Sequence, residues 1–261
     1  MLALVGCSKK DKPTLSEKQM YDRAFSALDK GRFETAIERY QELSATYPYG
    51  RYTTQGELEI CYAYYKIRDE DQALPCIDSF LSLHPTHPHI DYAYYLRGLA
   101  ALPIGAPKFG ESLFKSQEQF SDHDAESARE AYAAFVEVVD RFPLSQYAES
   151  SRKILVDLLN TFARHDLRVA RYYLYRKAYV GAANRAKSVI ERYEISPYSE
   201  EALAILILAY EEMGMNDLAD DSRRVLNYNF PSSRYMNNER IVLDQEYLER
   251  NTSPLLFGLF R

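Results

Sequence analysis

Three histidines fall within six residues in His84-Pro85-Thr86-His87-Pro88-His89, and imidazoles at that density are the most obvious invitation to metal chemistry in the chain. The invitation is weak. Pro85 and Pro88 hold the segment extended, so nothing forces the rings to converge, and no carboxylate stands at helical spacing from them. The segment reads instead as a joint between helical repeats. His123, between Asp122 and Asp124, reads as part of a polar loop on the same grounds. Nucleophile signatures are also missing: there is no Gly-x-Ser-x-Gly elbow, glycine-rich phosphate loop, His-Glu-x-x-His or Cys-x-x-Cys. The expectation is no catalytic residue, no metal and no enzyme. An enzyme acting on peptidoglycan, as the alternative, would have no nucleophile, base or metal cluster to work with.

Cysteine chemistry is confined to three residues, too few for a disulfide framework. Cys61 and Cys76 lie in helical patterns and read as small buried hydrophobes. Their two helices look antiparallel, so a bridge is also open. Cys7 is different. Leu4-Val5-Gly6-Cys7 fits the lipobox at which bacterial lipoproteins are cleaved and acylated, and the thiol would carry the lipid, the one non-protein group expected. Ser8-Lys9-Lys10-Asp11-Lys12-Pro13 then reads as a flexible tether. The apolar stretch before Cys7 is shorter than the roughly 7–15 residues of a secretory signal, so an upstream portion is expected. Two or three acyl chains, at ~0.8 kcal/mol per buried CH₂, would anchor the chain without a spanning helix.

Binding chemistry is better represented than catalysis. Residues 164–187 hold seven basic side chains (Arg164, Arg168, Arg171, Arg176, Lys177, Arg185, Lys187) against one acid, Asp166. This basic patch belongs to a chain of net charge −6. Arginine forks pair bidentately with carboxylates, so the patch suits an acidic protein surface, with a merely solvated face as the alternative. The overall negative balance argues against nucleic acid or an anionic membrane as a charge-driven partner. No run of about twenty apolar residues spans a bilayer. The 23 tyrosines suit many half-buried surfaces, where the ring packs and the hydroxyl stays wet.

The elements that position these residues repeat. Five segments share an alanine, an apolar or large residue four on, another seven on, and a proline twelve on. The first three are Ala36/Tyr40/Leu43/Pro48, Ala73/Ile77/Phe80/Pro85 and Ala131/Phe135/Val138/Pro143. The fourth, Ala182/Ala186/Val189, has Glu194 for the proline, and the fifth, Ala219/Leu226/Pro231, has Arg223 in the middle. The alanines are 37, 58, 51 and 37 residues apart, against a tetratricopeptide period of about 34, so two intervals carry insertions. Unit ends repeat as well: Tyr47-Pro48-Tyr49-Gly50-Arg51-Tyr52 matches Phe142 to Tyr147, Tyr193 to Tyr198 and Phe230 to Tyr235. There proline stops one helix, Ser or Gly is expected to cap the next, and aromatics staple the joint. Gly31 and Gly214 mark turns inside units, and Thr14 with Glu17 reads as a capping box opening the first helix.

The expected fold is therefore an all-α tetratricopeptide-repeat superhelix of about five helix-turn-helix units plus a C-terminal capping helix. Residues 1–13 are lipobox remnant and tether, and 14–124 form an N-terminal half with an insertion loop at 103–124. Residues 125–231 form a C-terminal half. Residues 232–261 hold the capping helix, running from Tyr235 to about 249, and an apolar tail, Leu255 to Phe260, that is either a free end or a partner-docking segment. In such folds the first helix of each unit lines an inner groove. Register from the alanines turns Tyr21, Phe25, Leu58, Tyr62, Tyr65, Tyr92 and Tyr95 toward it, with Gly98 as the close-packing position for the last two and Tyr64 and Tyr94 facing the core. An aromatic groove suits an extended apolar or aromatic-rich peptide; plain packing between helices is the alternative.

Particular words go beyond generic repeats: Tyr47 to Tyr52, Tyr62-Ala63-Tyr64-Tyr65-Lys66, Pro85-Thr86-His87-Pro88, Ile90-Asp91-Tyr92, Arg97-Gly98-Leu99, Tyr172-Tyr173, Ala178 and Asn184-Arg185. In this order the chain resembles the BamD (ComL-type) family, the tetratricopeptide lipoproteins of the outer-membrane β-barrel assembly (BAM) machinery. The resemblance implies a lipid anchor at the inner leaflet of the outer membrane, with which Ser8 after the cysteine is compatible. It implies that N-terminal repeats receive unfolded outer-membrane proteins through their C-terminal signals. It also implies that C-terminal repeats bind the POTRA region of BamA, with Arg185 in that contact and Arg171, Arg176 and Lys177 beside it. Other BAM lipoproteins are implied partners, and the membrane is reached through the lipid alone. Cell-division or pilus-type tetratricopeptide lipoproteins, the alternative, would lack the Pro-Thr-His-Pro and Arg-Gly-Leu words.

Overall fold

A computed structural model describes residues 15–102, 122–193, 196–238 and 240–243. Cys7 and its tether, Thr14, the insertion up to 121, Glu194 and the apolar tail lie outside them. The chain divides into two compact units, Met1–Ala101 and Leu102–Arg261. The first holds α1 (Glu17–Asp29), α2 (Phe33–Thr46), α3 (Thr53–Ile67), α4 (Glu70–Leu83) and α5 (Ile90–Ala100). The second holds α6 (Asp122–Arg141), α7 (Ala148–Tyr175), α8 (Tyr179–Arg192), α9 (Ser199–Glu212), α10 (Asn216–Asn229) and a two-stranded hairpin, β1 (Met236–Asn237) and β2 (Arg240–Ile241).

The fold is all-α and tetratricopeptide-like, and the alanine pattern explains it. The anchor alanines stand on α2, α4, α6, α8 and α10 and are buried, as are the residues four and seven on, apart from Arg223. A small side chain there lets neighbouring helices close in. On α3, Gly56 meets the first pair in the same way: a Cβ at this position would lie 2.9 Å from Cδ1 of buried Tyr40.

Five residues before four of the five anchors, the backbone turns left-handed: Gly31 (φ +69°), Arg68 (+60°), Lys177 (+58°) and Gly214 (+72°). Only the two glycines were legible as turns. The third such position is Glu126, which lies inside α6. That helix starts at Asp122, within the stretch expected to be loop, so His123 is helical. Ala125, Ala128 and Ala131 form its buried face. The 51-residue spacing has a simple origin: α7 is 28 residues long where α9 is 14.

The joints are uniform. In each, the residue in the fourth position donates its N–H to the carbonyl of the first: Gly50 to Tyr47, His87 to His84, Ser145 to Phe142, Ser196 to Tyr193 and Ser233 to Phe230, all at 2.9–3.1 Å. The expected serine cap of the next helix is not what forms. The N-cap residues are Tyr52, Tyr147 and Tyr198, none with a side-chain cap bond. The serine acts one step earlier: Oγ of Ser145, Ser196 and Ser233 accepts the N–H of the tyrosine two residues on, at 3.1, 3.3 and 3.2 Å. His87 Nδ1 does the same for His89 N at 3.2 Å. The three histidines are thus the second joint, and His84 Nε2 lies 2.7 Å from Glu57 Oε2. At the chain's start the capping box is Ser16 with Gln19, two residues beyond the Thr14–Glu17 pair expected.

Cys61 on α3 and Cys76 on α4 are joined, sulfur to sulfur. Closing a loop across 15 residues stabilises the fold by about 3 kcal/mol through lost unfolded-state entropy. Towards the other end, a hairpin stands over Met236–Ile241, where the capping helix was expected to begin. Asn238 adopts φ +47° in its turn, a conformation asparagine tolerates, and pairs Met236 with Ile241 and Asn237 with Arg240. Tyr235, Leu243 and Ile241 pack this hairpin against the core of α7, α8 and α9. That extra cover explains why α9 is apolar nearly all round, buried from Ala202 through Ile207.

Candidate functional site

One carboxylate on α3 gathers the hydroxyls of a half-buried tyrosine from α1 and a buried one from α2. Glu59 accepts hydrogen bonds from Tyr21 Oη (2.7 Å) and Gln55 Nε2 (3.0 Å), and from Tyr40 Oη on its other oxygen. Burial first, then the bond to Glu59, pushes both phenols well above their ordinary pKa. Tyr21 also packs on Tyr52 (5.1 Å between centroids), Tyr40 (5.8 Å) and, stacked, on Phe25 (6.1 Å), which is 47 % exposed.

Three and seven residues beyond Glu59 come Tyr62 and Lys66, on the same helix face. Tyr62 meets Phe33 edge to face at 6.4 Å and Tyr65 at 6.5 Å. The Lys66 ammonium lies 5.9 Å from the Phe33 ring and 5.8 Å from Tyr62. Desolvation raises the Tyr65 phenol, with Tyr62 adding to it. Together Tyr21, Phe25, Phe33, Tyr62, Tyr65 and Lys66 form a part-exposed aromatic face with a cation in it. Such a face offers ring area to an apolar or aromatic segment and one charge to a carboxylate.

Two expected groove residues are not there: Leu58 is 1 % exposed and Tyr95 5 %. Helices inside a repeat array pack on several neighbours at once, so their buried arc is wider than one alanine register suggests. Leu58, with no polar tip, goes fully inward beside Cys61. Tyr95 is buried with Ala93 and Leu96, while Tyr94, expected in the core, is half-buried like Tyr64 and Tyr92. Phe33 and Lys66 were missed because Phe33 opens a second helix and Lys66 reads as surface charge.

The basic run separates into two sets. Arg176, Lys177, Arg185 and Lys187 are exposed, whereas Arg164, Arg168 and Arg171 on α7 are half-buried. Arg171 is committed within the chain: Nε and Nη2 grip Glu201 at 2.5 and 2.6 Å, and Tyr235 Oη donates to the same carboxylate at 2.8 Å. Burial, then repulsion from Arg164 and Arg171, lowers the Arg168 guanidinium. Arg185 is 47 % exposed yet fixed, because Nη1 donates to Asp166 Oδ1 at 2.9 Å. Asp166, the one acid of the run, is buried and is also approached by Ser188 and Tyr193 at 3.5 Å. Among the described residues no group of three metal-ligating side chains comes together, and no helix is long and apolar enough to cross a membrane.

A family described as YfiO, outer membrane lipoprotein, matches residues 13–226. The chain belongs to this family. Its relatives include the outer membrane protein assembly factor BamD of Neisseria meningitidis serogroup A, 42 % identical over 221 residues, covering 85 % of this chain and 82 % of that protein. BamD of Xylella fastidiosa Temecula1 is 35 % identical, covering 92 % of this chain and 82 % of its own. BamD of Vibrio cholerae is 33 % identical, covering 87 % and 93 %.

The words that carried the BamD-family resemblance have structural work to do. Arg97 Nε reaches Asp78 Oδ1 at 2.6 Å and ties α5 to α4. Tyr173 lies over Gly181, where a Cβ would stand 3.1 Å from the ring, and so packs α7 on α8. Tyr47 Oη donates to the Leu15 carbonyl at 2.9 Å and ties the first joint to the start of α1. Arg185 ties α8 to α7 through Asp166 while its side chain stays 47 % exposed.

Proposed function

We infer that this chain is a non-enzymatic lipoprotein component of the BAM complex, anchored through acylated Cys7 at the periplasmic face of the outer membrane. In this reading the exposed basic side chains, Arg185 with Arg176 and Lys177, dock on the POTRA region of BamA. The aromatic face of α1 and α3 receives unfolded outer-membrane proteins, and other BAM lipoproteins complete the assembly. The observation that carries the reading is the family match, which runs through both units and is shared with relatives named outer membrane protein assembly factors. The Cys61–Cys76 bridge supports it independently, since structural disulfides persist in oxidising compartments such as the periplasm. So does the half-exposed Arg185 fork, held rigid by Asp166 and suited to a carboxylate.

The test is an affinity capture from detergent-solubilised envelopes, with wild-type chain beside Arg185→Glu. Recovery of a barrel protein bearing POTRA domains by wild type, and its loss with Arg185→Glu, is the expected result. Failure of wild type to recover any barrel protein sinks the assignment. Retention by Arg185→Glu keeps the function and moves the interface.

A further inference from the structure

The first joint is fastened to the start of α1. Tyr47 Oη donates to the carbonyl of Leu15 at 2.9 Å, and the Tyr52 N–H donates to Glu17 Oε1 at 2.5 Å. Gly50 lies so close to Glu17 that an added Cβ would overlap that carboxylate. The joint and the start of α1 are therefore one rigid piece. At its tip, Tyr49 is 101 % exposed, a whole aromatic side chain in solvent with Arg51 exposed beside it.

Seven residues, 8–14, separate Cys7 from Leu15. Eight chain steps reach at most about 29 Å when fully extended, and a flexible coil of that length averages about 15 Å. An acylated Cys7 thus holds the Leu15 end of α1, and the tip pinned to it, within a short distance of the headgroups. The tether carries Lys9, Lys10 and Lys12 against Asp11. Beside it, Lys18 is neutralised by Asp22 at 2.7 Å, which leaves Arg51 as the further positive charge at the tip. Tyrosine is one of the two residues that favour the membrane–water interface, its ring in the apolar edge and its hydroxyl in water, and basic residues beside it complement anionic headgroups.

We propose that the Tyr47–Tyr52 joint is a lipid-contact element, with Tyr49 seated in the headgroup layer of the bilayer that holds Cys7 and Arg51 on its phosphates. The contact would set the orientation of α1 and α2 on the membrane, which a lipid on Cys7 alone does not. It rests on the lipid anchor of the preceding reading, and the experiment separates the two.

Full-length acylated protein is reconstituted in vesicles of phosphatidylethanolamine and phosphatidylglycerol. It carries an environment-sensitive fluorophore at Tyr49→Cys or, as control, at Leu144→Cys, the equally exposed counterpart in the third joint. Cys7 is blocked by lipid and Cys61 and Cys76 by their bridge, so labelling is single-site. Nitroxide lipids should quench the label at 49 several-fold more than the label at 144, with a blue-shifted emission at 49 alone. Flotation with equal, weak quenching at both positions overturns the lipid contact and leaves the anchor standing. Failure to float overturns the anchor and the lipid contact with it.

Discussion

Arg171 on α7 and Glu201 on α9 meet fork to fork, at 2.5 and 2.6 Å, and the carboxylate is only 4 % exposed. Because Tyr235 donates to the same carboxylate, one buried acid joins two helices and the C-terminal hairpin. Glu201→Ala should strand a mostly buried guanidinium and cost about 3–5 kcal/mol, the usual penalty for breaking a buried pair from one side. Urea unfolding followed by circular dichroism measures it. A loss below 1 kcal/mol would mean that Arg171 reaches water freely.

The left-handed turns at Arg68 and Lys177 are occupied by side chains that disfavour them by about 1–2 kcal/mol. Glycine removes that cost and adds back about 0.5–1 kcal/mol of chain entropy. Arg68→Gly and Lys177→Gly should therefore each raise stability, by up to about 1 kcal/mol. Gly31→Ala, which has open space around it, should lower stability through backbone strain alone. Melting temperatures of the three variants decide the matter.

Loss of the bridge should be felt across the second helix pair. Cys61→Ala with Cys76→Ala should lower stability by about 3 kcal/mol relative to the oxidised chain. Denatured, unreduced protein should bind no thiol reagent at either cysteine. Alkylation of both in periplasmic material would contradict the bridge.

Alkaline pH should weaken the first pair. Tyr21 and Tyr40 have pKa values raised in the folded chain by burial and by donation to Glu59. The unfolded chain loses these protons near pH 10 while the folded chain keeps them, so their contribution is whole below about pH 10 and shrinks as pH rises beyond it. Tyr40→Phe should flatten that decline. A slope above pH 10 unchanged by Tyr40→Phe would disprove the coupling.

The aromatic face makes a separate forecast. Tyr62→Ala should weaken binding of an aromatic-rich peptide from the end of an outer-membrane protein about tenfold, as truncated aromatic anchors do. Val180→Ala, on exposed α8 surface, should leave it unchanged. Fluorescence anisotropy with labelled peptide compares them, and equal affinities would move the peptide site off α3.

The repeat could be read because its rules are local. An alanine, two hydrophobes and a proline at set offsets encode a second helix and its stop, and all five copies are where that pattern puts them. The joint at His84 to His89 was legible for the same reason. What depended on several neighbours was not. Leu58 and Tyr95 are core because helices crowd them from more than one side, and nothing in their spacing records that. The hairpin after Tyr235 turns on one tolerant asparagine, whereas the run around it still looks amphipathic. Asp166 looked like a lone exception in a basic run; only the fold shows it buried under Arg185.

The six-residue joints keep one length in all five copies, while the repeat grows by lengthening α7 and ahead of α6. Such a molecule has fixed hinges and extensible rods. For grafting an epitope, a fluorescent domain or a protease site, the tight turns at Gly31 or Gly214, where an added Cβ meets nothing within 4 Å, are the places to cut. A residue added to any joint would break the carbonyl-to-amide step that sets how one pair follows the next, and should derail every pair downstream.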